Sequence, residues 1–165
     1  MATENEKFEG FTLGLALADA IPVVEFCASM IAIAARFQSP LFAAGAAASA
    51  LAGCGKVAWK VLLAVRGRDV SWLTRQFRYL MSAGMLLMLV AVVVAAATGA
   101  LDVGAVAARV VRPPAVAFFA LWLVGMVAMG VMAARLDKRV ARNNWIEQIV
   151  NAVAQGLFLV GVLVC

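Results

Sequence analysis

Asp19 and Glu25 interrupt an otherwise apolar stretch, "FTLGLALADAIPVVEFCASMIAIAARF", with Pro22 between them. Lys56 and Lys60 do the same in "LFAAGAAASALAGCGKVAWKVLLAV", where a spacing of four puts both ammonium groups on one helix face. Near the C-terminus, "NNWIEQIVNAVAQG" carries Asn144, Glu147, Gln148, Asn151 and Gln155. At helical periodicity these five fall within an arc of roughly 100°. Ile146, Val150, Val153, Leu157 and Val160 fill the other side. Carboxylates in such surroundings pair with a cation, bind one, or take up and release a proton. Lysines there attract an anionic group or neutralise a neighbouring carboxylate, and amides hydrogen-bond to a polar solute.

The composition excludes other chemistry. There is no histidine, and Cys27, Cys54 and Cys165 lack metal-ligand spacing, so histidine-ligated haem, His-based metal catalysis and Ser-His or Cys-His nucleophiles are removed. No cofactor and no bound metal are expected. "GCGK" at 53–56 lacks the spacing of a phosphate loop. Met81, Met85 and Met88, with Met126, Met129 and Met132, pair in depth if their helices form a hairpin around Ala107. A thioether ladder can carry soft ions, but methionine also fills irregular gaps, and packing is the reading adopted.

The elements that must position these residues are membrane helices. The chain has 165 residues, 65% of them hydrophobic, against roughly 45–50% in soluble domains. Its mean hydropathy is +0.99. Five apolar segments, near 10–36, 41–65, 79–101, 115–135 and 144–164, are long enough to cross roughly 30 Å of hydrocarbon. The fold expected is therefore all-α, a polytopic bundle of five transmembrane helices forming one domain over 1–165. "FQSP" makes a tight turn between the first two spans, and Pro113 and Pro114 suit the start of the fourth. "RGRDVSWLTRQFR" sets Val70, Leu73 and Phe77 against four arginines and is expected to lie in the interface as a short helix. Trp59, Trp72 and Trp145 read as interfacial anchors. "MATENEKFEG" is too acidic to begin a cleaved signal peptide.

Orientation follows from the basic residues. With the N-terminus cytoplasmic, Lys7, Arg66, Arg68, Arg75, Arg78, Arg135, Lys138, Arg139 and Arg142 are inside. Arg36, Arg109 and Arg112 are outside, as is the C-terminus. Nine against three is a positive-inside bias. The net charge of +5 comes from these short loops, so nucleic acid is not an expected partner.

Each charge near the bilayer centre costs on the order of 2.5–3.5 kcal/mol, so four of them must pair, neutralise or face water. A hairpin centred near Gln38 sets Lys56 level with Ile21 and Lys60 level with Leu17, so both bracket Asp19. Glu25 lies level with Ala52 and has no lysine of its own. Gly45, Ser49 and Gly53 extend the lysine face as a strip of small residues that admits another helix closely. Pro22 frees the carbonyl of Ala18.

These features predict a small integral membrane transporter or channel-like protein, or a subunit of one, in the bacterial cytoplasmic membrane. The first, second and fifth spans would enclose a cytoplasm-facing cavity for a small polar or ionic solute, with Asp19, Glu25, Lys56, Lys60, Glu147, Gln148, Asn151 and Gln155 as candidate binding residues. Besides the lipid bilayer, a second copy or a partner membrane subunit is compatible with the chain. The main competing expectation is an accessory subunit whose polar groups fix helix packing. A lipid-modifying enzyme, with Asp19 or Glu147 as acid or base, ranks last because no nucleophile–base pair or metal motif accompanies them.

Overall fold

The structure, a computed structural model, describes residues 12–137 and 140–165. Lys7, Lys138 and Arg139 of the inside tally, and the first residues of the expected first span, lie outside the described residues.

Local chemistry sets the helix ends. Helix α1 (Leu13–Phe37) begins at Thr12, whose Oγ1 accepts from the Leu15 amide at 3.3 Å. It stops where Gln38 turns left-handed at φ 50°. Ser39 then caps α2 (Pro40–Arg66) by accepting from the Phe42 amide at 3.3 Å. Pro40 occupies the first turn, where a missing N–H costs nothing. "FQSP" is thus one C-cap and one N-cap back to back. Gly67, at φ 60°, ends α2. Helix α3 spans Ser71–Ala97, and a short α4 (Val103–Val110) is capped by Asp102, which accepts from the Ala105 amide at 2.8 Å. Helix α5 (Ala115–Arg135) follows Pro114, and α6 covers Ala141–Val164. All but α4 are long and apolar enough to cross a membrane, which is compatible with an integral membrane protein.

One expectation fails. No short interfacial helix lies between α2 and α3, because Ser71 already belongs to the long α3. From Ser71 onward nothing breaks the helix: Leu73, Phe77 and Met81 follow at spacings of four, so the amphipathic face of the supposed loop runs straight into the apolar span. The short amphipathic helix occurs instead as α4, between α3 and α5, where none was expected.

In packing order the helices run α3, α2, α1, α6, α5, so the first helix is central. Helix α1 runs antiparallel to α2 and parallel to α6. Gly14 lies against Trp145, Glu25 against Gly156, and Arg36 Nη1 donates to the Val162 carbonyl at 2.9 Å. Helix α5 is held to α6 by Phe119 and Trp122, whose rings lie 5.9 and 4.9 Å from that of Phe158. No extensive packing joins α3 to α5 among the described residues. Leu121, Leu123, Val124 and Val127 of α5 are exposed, as suits a lipid-facing helix.

The strip of small residues on α2 serves two neighbours. Gly45 and Ser49 meet Gly84 of α3, where a Cβ on Gly84 would stand 2.5 Å from the Gly45 carbonyl oxygen and against the Ser49 hydroxyl. Gly53 faces α1, where an added Cβ would lie 3.0 Å from Val23 Cγ1. Where two backbones touch, no side chain can yield, so Gly84→Ala should cost about 1–3 kcal/mol. Gly130, with nothing within 4 Å of an added Cβ, is the control. Gly130→Ala should be neutral or stabilise by about 0.5–1 kcal/mol through lower chain entropy. Thermal unfolding of the two variants in detergent measures the contrast, and equal melting temperatures would contradict the close crossing.

Candidate functional site

Three charged side chains meet between α1 and α2. Lys60 Nζ lies 3.1 Å from Asp19 Oδ1, and Lys56 Nζ lies 4.0 Å from the same oxygen. The side chains of Lys60 and Asp19 are 4% and 3% exposed, that of Lys56 35%. The hairpin turn produces this meeting: because α1 stops at Phe37 and α2 starts at Pro40, residues at similar distance from the turn come level. Lys56 also stands over the Phe77 ring, 5.1 Å from its centroid.

Two chambers flank this ion pair. One, of about 490 Å³, is lined by Lys56, Trp59 and Lys60 of α2, Thr74, Phe77, Arg78, Met81 and Ser82 of α3, and Asn144 and Glu147 of α6. It lies toward the end of the bundle that carries Arg66, Arg68, Arg75 and Arg142. The other, of about 340 Å³, lies deeper. Its polar lining is Asp19, Ser49, Lys56, Asn151 and Gln155; Pro22, Val23, Phe26, Gly53, Phe77, Met81, Met85 and Met126 complete it. Lys56, Phe77 and Met81 belong to both walls and so separate the two spaces. Met85 and Met126 are exposed as well as lining it, and α3 and α5 share no extensive contact, so the deeper chamber opens between these two helices.

Of the eight candidate residues, the structure brings Asp19, Lys56 and Lys60 together, with Glu147 across the larger chamber and Asn151 and Gln155 on the deeper one. Gln155 Nε2 donates to the Met126 thioether at 3.9 Å. Gln148 is buried but lines neither chamber. Glu25 also stands apart: it lines neither chamber, makes no ion pair among the described residues, and sits against Gly156, where a Cβ would come within 3.1 Å of its Oε1. On the other face of α6, Ile146, Val153 and Val160 are exposed and Val150 and Leu157 half-buried.

Several buried oxygens have no hydrogen-bond partner among the described residues: Asp19 Oδ2, Ser49 Oγ, Glu147 Oε1 and Gln148 Oε1 near these chambers, and Glu25 Oε2 apart from them. An unmet buried acceptor costs about 1–3 kcal/mol, so each calls for a donor from water or from a bound molecule.

The chain matches no protein-family model, no curated protein and no solved structure. The geometry of the site therefore stands alone.

The third span and the fourth add residues that the sequence reading did not include. Phe77, Thr74, Arg78 and Ser82 of α3 wall the chambers because α3 starts early, and the four-residue spacing of Leu73, Phe77 and Met81 was the available signal. Gln76 lies on Gly55, and Trp59 Nε1 donates to Asp69 Oδ1 at 2.8 Å, closing the α2–α3 turn. Met88 packs in the core with Met30 and Phe42, whereas Met81, Met85 and Met126 face the deeper chamber, so the six methionines do not form one ladder.

The two lysines should differ on removal. Lys60→Met strands the Asp19 carboxylate in a buried position and should cost about 3–5 kcal/mol. Lys56→Met removes a half-exposed, longer contact and should cost about 1 kcal/mol or less. Chemical or thermal unfolding in detergent decides this, and an equal loss in both variants would refute the division of roles.

Proposed function

We propose that this chain is a small integral membrane transporter or channel-like protein, or a subunit of one, whose polar intramembrane cavity accepts a small polar or ionic solute. The observation that carries the proposal is the pair of chambers sharing a wall at Lys56, one toward the basic end and one deeper, flanking a buried ion pair whose carboxylate keeps an unpartnered oxygen. Lys60 pairs with Asp19, Lys56 stands in the wall between the chambers, and Glu147, Asn151 and Gln155 offer hydrogen bonds along their sides. Glu25, near the middle of α1 and without an ion pair among the described residues, is the candidate for a coupling proton or cation.

The positive-inside bias supports an orientation with the larger chamber on the cytoplasmic side, the N-terminus inside and the C-terminus outside. The bacterial cytoplasmic membrane is the expected location. A structural role is the competing reading, favoured by the Asp19–Lys60 pair itself, which is what a helix clamp requires. Beyond a clamp there remain the half-exposed Lys56, the two chambers and the unmet buried acceptors.

Flux in proteoliposomes tests the proposal with Asp19→Asn, Lys56→Met and Glu147→Gln. Transport predicts that at least Lys56→Met lowers flux about tenfold or more, or about 1.4 kcal/mol in the barrier, while the protein keeps its fold. Unchanged flux in all three variants would remove the site, and a loss of melting temperature with no solute effect would favour the clamp.

A further inference from the structure

The deeper chamber carries a more specific signature, which rests on the transport reading above and adds the class of substrate. Both lysines address the same carboxylate oxygen, Asp19 Oδ1. Oδ2 of that carboxylate is buried and without a hydrogen-bond partner among the described residues. Beside it, Lys56 makes no side-chain hydrogen bond among the described residues: it lies 4.0 Å from Asp19 Oδ1 and over the Phe77 ring. Asp19 and Lys56 both line the deeper chamber, so a carboxylate with one unmatched oxygen and an ammonium without a short hydrogen bond border one space. Beyond them the wall is apolar, formed by Val23, Phe26, Met81, Met85 and Met126.

Ligands of a single charge fit this pair poorly. An ammonium drawn to Oδ2 sits beside the Lys56 cation, and a carboxylate drawn to Lys56 sits beside Asp19; each meets a like charge. A molecule carrying both charges a few bonds apart sets each of them beside its opposite, on the far side of the carboxylate from the oxygen that Lys60 contacts. The cavity volume, about 340 Å³, falls at the low end of small-molecule sites, which span roughly 300–1,000 Å³.

We propose that the deeper chamber binds a zwitterion with an apolar body, its ammonium on Asp19 Oδ2, its anionic oxygen on Lys56 Nζ and its apolar part against Phe26, Met85 and Met126. Two sources share this chemistry: a free α-amino acid with a large apolar side chain, and a zwitterionic lipid entering through the opening between α3 and α5. The amides of Asn151 and Gln155 line the same space and supply further polar contacts.

Binding to the full chain in detergent, followed by calorimetry and by thermal shift, is the test. The probes are phenylalanine, leucine, phenethylamine (ammonium only), 3-phenylpropionate (carboxylate only) and short-chain phosphatidylethanolamine. The expected result is stabilisation by phenylalanine and leucine, or by the phosphatidylethanolamine, at least about tenfold tighter than either singly charged analogue. Tighter binding of the amino acids identifies a free solute, and tighter binding of the lipid identifies the bilayer as the source; both support the zwitterion. Lys56→Met should abolish the preference for the zwitterion over phenethylamine. Met126→Trp, which fills the chamber and leaves both charges in place, should weaken the zwitterion about tenfold. No binding of any zwitterion at millimolar concentration, or equal binding of a singly charged analogue, overturns the proposal. Counterflow in proteoliposomes separates the two claims: zwitterion binding without counterflow supports the ligand class and counts against transport. Flux of another solute with no zwitterion binding overturns the ligand class alone.

Discussion

Asp19 and Lys60 lie 3.1 Å apart with almost no exposure, and the remaining architecture accommodates that pair. Inserting two charges at the centre of a bilayer costs about 5–7 kcal/mol on insertion scales. That is an upper bound for a pair set to one side of the middle of both helices. Their attraction at this distance, with an effective dielectric of about 20, is about 5 kcal/mol. The two terms nearly cancel, so the pair permits the hairpin and does not drive it. The drive comes from close packing along α2, where Gly45 and Ser49 admit α3 at Gly84 and Gly53 admits α1 at Val23. Lys56 has no such partner to itself. Its half-exposed position, beside a ring face and between two chambers, is where a third charge can stay hydrated.

That arrangement explains why the polar groups of α6 face inward. Asn144 and Gln148 are buried, Asn151 and Gln155 line the deeper chamber, and Glu147 lines the larger one. They complete a polar interior that α1 and α2 begin. The outer helices contribute differently. Helices α3 and α5 supply Phe77, Met81, Met85 and Met126, flexible or flat side chains that adapt to what lies beside them. Because each of these helices is anchored mainly on one side, the opening between them is the least constrained part of the bundle.

Much of this was legible in the sequence, and the reason differs from element to element. The "FQSP" turn was readable because a left-handed C-cap, a serine N-cap and a first-turn proline each need particular residues. The level meeting of Asp19 with Lys56 and Lys60 followed from that turn alone. The α6 stripe was readable because five polar residues on one face contradict an apolar span. The start of α3 was misjudged because four arginines resembled an interfacial segment, although the helical face continued unbroken from Leu73 to Met81. Other features depend on three-dimensional neighbours: which small residue meets which helix, the seat of Glu25 against Gly156, and the use of one oxygen of Asp19 by both lysines.

The central place of α1 has a consequence for how the protein is made. Of the described helices it is synthesised first, yet its two faces are satisfied at very different times. The hairpin with α2 becomes available almost at once and gives Asp19 its partner. The other face, with Gly14, Glu25 and Arg36, waits for Trp145, Gly156 and Val162 of the last helix. A nascent chain that has released only its first three long helices therefore holds a bare, partly charged groove. Closing that groove requires α6, so it joins the earliest of the described helices to the latest.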